Sequence, residues 1–114
     1  MEQKPARLDR ALLWRIIDME WPRHSGFRTR TDLARHAGVS PSTMARIRKA
    51  DPTVEDARFR KIEAAFGWPA DTLKTAATGD LAGLVELGAP GHLVGWLSKE
   101  LAKDQGNSGT AVSG

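Results

Sequence analysis

The stretch Arg30–Lys49, RTDLARHAGVSPSTMARIRK, decides how this chain folds. It reads as two short helices held at a fixed angle by a three-residue turn. Gly38 stands where the turn needs a positive φ, which glycine alone adopts cheaply. Ala34 is small where the two helices come closest. Leu33, Ala37, Val39, Met44 and Ile47 occupy positions that face inward, while Ser40, Ser42, Thr43, Arg46 and Lys49 fall on the opposite side of the second helix. Ser40 is a good N-cap, and Pro41 suits the first helical position because its missing N–H is not needed there. Thr29 and Asp32 stand at T-x-x-D spacing, so each side chain can satisfy an orphan backbone N–H at the start of the first helix.

Outward from this unit, the pattern stays helical. Upstream, Leu8, Leu12, Ile16 and Met19 recur on one face of a helix expected over about Ala6 to Trp21, with Leu13, Ile17 and Trp21 widening the stripe and Trp14 at its edge. So broad an apolar surface calls for cover by other helices. Pro22 stops that helix, and the residues after it read as a loop. Downstream, a helix capped by Thr53 or Asp56 carries Phe59, Ile62, Ala65 and Phe66 inward and ends at Gly67. Trp68-Pro69 opens a short helix over Ala70 to Ala77 with Leu73 inward, and Asp80 to Leu87 adds another turn or two ended by Gly88. Pro90 to Lys103 forms a separate amphipathic segment with Leu93, Trp96, Leu97, Glu100 and Leu101 on one side. The last residues, 104–114, are rich in Gly and Ser without periodicity and read as a disordered tail. No strand signal emerges, so the expected class is all-α. The expected divisions are a compact five-helix unit over 1–79, a C-terminal helical extension over 80–103, and the tail.

Composition narrows the possible functions. The chain has 114 residues, enough for one compact domain with an appendage. It has no cysteine, which excludes disulfides and thiolate metal sites and suits a reducing cytoplasm. The charged beginning, MEQKPARLDR, lacks the apolar core of a signal peptide. No apolar run is long enough to span a bilayer, so the expected location is the cytoplasm, away from membranes. The net charge of +3 is unevenly spread: residues 1–27 carry +1, residues 28–49 carry +5, and residues 50–114 carry −3. The surplus sits on the two-helix unit, where each neutralised phosphate would release counterions and add salt-sensitive affinity.

Two helices in this arrangement, the second polar and basic on its outer side, form the helix-turn-helix pattern, whose second helix enters the DNA major groove. The order of parts resembles the lambda-repressor-like (Xre/Cro-CI type) family of bacterial and phage regulators over about residues 8–79. The most specific portion is DLARHAGVSPSTMARIRK, followed by a proline, an amphipathic helix and FGWPADTL. The resemblance implies a five-helix bundle, dimeric binding to palindromic operators and no catalysis. It places Pro41, Ser42 and Arg46 against base edges, and Arg30, Thr43 and Lys49 against the DNA backbone. Two departures stand out. Arg48 replaces an acidic residue frequent near the end of the second helix, and the segment from Pro52 to Gly67 is slightly longer than usual.

Chemistry agrees with these assignments. The Arg46 guanidinium can donate two parallel hydrogen bonds to O6 and N7 of guanine, and the Pro41 ring can pack on a thymine methyl. Arg28, Arg30, Arg48 and Lys49, together with Thr43, are assigned to phosphates, which fix orientation without reading sequence. The expected function is a transcriptional repressor of the phage or prophage immunity type, occupying an operator through residues 40–49. The competing reading is the antitoxin of a toxin–antitoxin pair, binding a toxin partner while autoregulating its own operon. Leu93, Trp96, Leu97 and Leu101 either pack back onto the domain or form a homodimer seam; a dimer would set half-sites roughly 34 Å apart. His24, His36 and His92 lack metal-ligand spacing, no catalytic constellation stands out, and no cofactor or metal is expected.

Overall fold

The computed structural model describes residues 8–113, with only the backbone described beyond residue 103. The tail expected to be disordered over 104–114 is corrected for its backbone, which is helical over 104–113; residue 114 lies outside the described residues. Seven α-helices follow one another, with no strand among the described residues: α1 Arg10–Glu20, α2 Arg30–Ala37, α3 Pro41–Arg48, α4 Asp56–Phe66, α5 Thr72–Ala77, α6 Leu81–Leu87 and α7 Gly91–Ser113. A single 3-10 turn, Trp21–Arg23, follows α1 with Pro22 at its start. No helix among the described residues is long and apolar enough to cross a membrane.

Caps fix most of the boundaries. The Asp9 carboxylate accepts the Leu12 N–H at 3.0 Å, so α1 starts later than the apolar stripe alone suggests. α4 is capped by neither expected residue: Glu55 holds the N-cap position without a side-chain bond, because Thr53 is engaged elsewhere in the loop. α5 also begins later than expected. Glu63, on α4, accepts the backbone N–H groups of Asp71 (3.0 Å) and Leu73 (2.6 Å) and so sets the first turn of α5 from another helix. Gly67 and Gly88 close α4 and α6 with positive φ, as their positions predict.

One hydrophobic core runs through the whole set. Leu13, Ile16 and Ile17 of α1 meet Leu33 of α2, Ile47 of α3, Ile62 of α4 and Leu73 of α5. α1 packs against α3 and α5, and α2 packs against α4. Residues 80–103 belong to the same core through Leu84, Leu93 and Leu97, each 0 % exposed. This corrects the dimer-seam assignment for two of its four residues. Leu93 and Leu97 cover the chain's own interior, where each burial is worth roughly 1.5–3 kcal/mol, and neither can reach a second copy without leaving it. Trp96 and Leu101 are half-buried, Trp96 beneath the Arg15 guanidinium at 6.0 Å and Leu101 beside Gly79.

Candidate nucleic-acid interface

The turn between α2 and α3 is built by its own residues. Gly38 adopts φ +75°, and its N–H and that of Val39 return to carbonyls in the last turn of α2. At the other end of α2, Asp32 N–H donates to the Thr29 hydroxyl (3.1 Å) and Thr29 N–H donates to the Asp32 carboxylate (3.1 Å). The Arg28 N–H adds a second bond to that carboxylate at 2.8 Å. These backbone donors, Arg28 first, hold the Asp32 carboxyl below its usual range despite some desolvation. Ser40 caps α3 by accepting the Thr43 N–H at 3.1 Å. Ala34, Met44 and Ile47 are buried, which locks the two helices together.

The opposite side of α3 is open. Ser42, Ala45, Arg46 and Lys49 are exposed and follow one another along one stripe of the helix, with Pro41 exposed at its first position. Thr43 is half-buried, and its hydroxyl oxygen accepts from Ser40 at 2.9 Å, so its first role is in the cap. Lys49, Arg28 and Arg48 form no ion pair among the described residues, whereas Arg30 and Arg46 do. Arg30 Nε donates to Asp18 on α1 at 3.0 Å, and its guanidinium lies 5.5 Å from the centre of the Trp14 ring. Burial raises the Asp18 pKa, but the hydrogen bonds from Arg30 and Trp21 outweigh it and the net shift is downward. Trp14, Arg30, Thr31, Pro41, Ala45 and Arg48 line a shallow cleft of about 140 Å³ beside the exposed stripe.

Arg46 is braced. Its Nε donates to Asp51 at 3.0 Å and its Nη2 donates to the Thr53 hydroxyl oxygen. The Asp51 carboxyl is pushed down to about 2, first by the Thr53 hydroxyl and N–H and then by Arg46. It therefore stays charged at any physiological pH. Asp51, Ala45 and Asp18 carry no assignment from the sequence, and Thr53 carries only that of a cap for α4. Ala45 had a signal: it lies between Ser42 and Lys49 on the helical stripe, and its small side chain lets another surface come close.

Two of the histidines converge on one carboxylate elsewhere. His24 and His92 both approach the buried Glu20 through Nε2, at 2.7 and 2.6 Å, and join the end of α1 to the start of α7. Among the described residues no group of three His, Cys, Asp or Glu side chains has the arrangement to hold a metal ion. Comparison of the chain with protein-family models, curated proteins and solved structures found no match.

Proposed function

We propose that this protein is a sequence-specific double-stranded DNA-binding regulator of the helix-turn-helix class, with α1–α5 as a lambda-repressor-like unit and α3 as the helix that enters the major groove. The observation that carries the reading is the division of α3. Met44 and Ile47 are sealed into the core, while Ser42, Ala45, Arg46 and Lys49 stand exposed within a stretch of net charge +5. A helix held this firmly, with a polar and basic outer stripe and a small residue in its middle, meets the steric and electrostatic demands of the groove. Arg30 and Arg48 line the cleft beside the stripe and, with Arg28 just before α2, supply phosphate contacts, and Arg30 exchanges its Asp18 partner for a phosphate at little cost. The protein acts as a repressor by occupying an operator, in the manner of a phage or prophage immunity regulator.

Selection of bound fragments from random duplex DNA tests this directly. A recurrent sequence is expected, and failure to enrich any sequence, with no binding even at low salt, overturns the proposal. On the selected site, Arg46→Ala is expected to cost about 1–3 kcal/mol and to relax preference at one base pair. Lys49→Ala is expected to weaken all sequences alike and reduce the salt slope by about 1.

A further inference from the structure

The loop between α3 and α4 does more than connect them. Asp51 Oδ2 accepts from Arg46 Nε, and Asp51 Oδ1 accepts both the Thr53 N–H (2.8 Å) and the Thr53 hydroxyl (2.6 Å). The same Thr53 oxygen receives Arg46 Nη2, which closes a ring of hydrogen bonds. The loop itself is fixed. Asp51 N–H donates to the Arg46 carbonyl at 3.0 Å, Val54 is buried, and Arg10 of α1 donates through Nη1 to the carbonyls of Asp51 (3.3 Å) and Val54 (3.2 Å).

These contacts consume one edge of the Arg46 guanidinium, the edge made by Nε and Nη2. The outer edge, made by Nη1 and Nη2, keeps its donors, and the side chain is 44 % exposed. Two parallel donors on a rigid plane match the paired acceptors O6 and N7 of guanine. A phosphate makes no such demand, since an arginine can meet it from many directions. A carboxylate beside a DNA-facing helix is moreover a liability for general affinity, because it repels the backbone that the surrounding arginines attract. An acid placed there weakens binding to every sequence unless it secures something at one of them.

We infer that Asp51 and Thr53 are the specificity-determining residues of this surface: they orient the Arg46 guanidinium edge-on to a guanine in the recognition site, and the Asp51 charge lowers affinity for DNA that lacks it. The inference rests on the DNA-binding reading above and assigns that reading a base and a mechanism of discrimination.

The test uses the full chain with its selected duplex, the same duplex substituted singly at each base pair, and a random duplex, all at one salt concentration. Wild type is expected to prefer guanine at one position by about tenfold or more. In Asp51→Ala that preference falls to about threefold or less, preferences elsewhere in the site persist, and affinity for random duplex rises. Thr53→Val, which keeps the carboxylate, loses part of the same preference without the rise. Asp51→Ala that keeps full guanine discrimination, or that loses affinity equally for every duplex, overturns the inference. Should Asp51→Ala fail to fold by circular dichroism, unchanged discrimination in Thr53→Val overturns it instead. A wild-type protein with no base preference removes the DNA-binding reading and this inference together, whereas intact wild-type preference with indifferent variants removes the inference alone.

Discussion

The surface made by α2 and α3 and the seam where α7 meets α1 treat charge in opposite ways. On the surface, Asp18, Asp32 and Asp51 remain partly exposed and pair with groups that solvent also reaches. At the seam, Glu20 is 3 % exposed and Glu100 is 9 % exposed. Glu20 takes a partner 72 residues away, His92, and Glu100 pairs with Arg15 across the helices. Exposed pairs in high dielectric are worth little and change partners easily, whereas breaking a buried pair strands a desolvated group. One region leaves its ion pairs open to solvent. The other is built to hold the fold shut.

The comparison breaks most decisively at Leu97. Leu97→Asp places a carboxylate at a fully buried position with no partner, an expected cost above about 4 kcal/mol against a total stability of roughly 5–15 kcal/mol. Circular dichroism and urea unfolding are expected to show a protein that is largely unfolded or barely stable. A folded variant that merely sediments as a smaller species would restore the dimer seam and remove α7 from the core.

A smaller effect is expected at Glu20. Glu20→Ala deprives His24 and His92 of their shared acceptor, but both rings are partly exposed and can hydrate, so the cost should lie near 1–3 kcal/mol. The denaturation midpoint measures it. Base preference in the DNA selection should not change, because Glu20 belongs to the seam. A change in base preference would show that the two regions are coupled.

Local physics explains how much of this was readable beforehand. The Thr29–Asp32 box, the Gly38 turn, the Ser40–Pro41 start and the Gly67 stop each depend on residues within one helical turn, and each stands where its residue type predicts. The start of α5 was hidden because its cap, Glu63, arrives from another helix. The pairing of His92 with Glu20 was hidden for the same reason at greater range. At the candidate interface, helical periodicity alone placed Ser42, Arg46 and Lys49 outside. The brace was not legible, because it needs Ala50 to adopt φ +61°, which alanine seldom does, before Asp51 can turn back onto Arg46. The Leu93–Leu97 stripe was legible as apolar, but periodicity does not say which surface covers it.

Ala50 offers a more delicate test on the interface side. A left-handed alanine costs roughly 1–2 kcal/mol, and replacing it with glycine relieves that while adding about 0.5–1 kcal/mol of backbone entropy to the unfolded chain. Ala50→Gly is thus expected to stabilise by about 1 kcal/mol or less, read as a raised thermal midpoint. Destabilisation would mean that the end of α3 is not strained.

Protonation separates exposed from buried carboxylates most finely, because Asp51 on the surface and Glu63, buried where α4 meets α5, shift in opposite directions. Asp51 is lowered from 3.8 to about 2, chiefly by Thr53, so its contribution to stability is fully present above 3.8 and is lost as pH falls through about 2. Glu63 is raised above 4.5, because desolvation outweighs the bonds from Leu73 and Asp71. Its protonated form is the one the fold favours, so its contribution is fully present below 4.5 and is lost as pH rises through the raised value. Melting wild type beside Asp51→Asn and Glu63→Gln across acid pH separates them. The wild-type advantage over Asp51→Asn should shrink toward pH 2, while that over Glu63→Gln should grow as pH falls to about 4.5. Parallel curves would mean that both carboxylates sit in equivalent environments, and the distinction between an exposed surface and a sealed interior would lose its electrostatic basis.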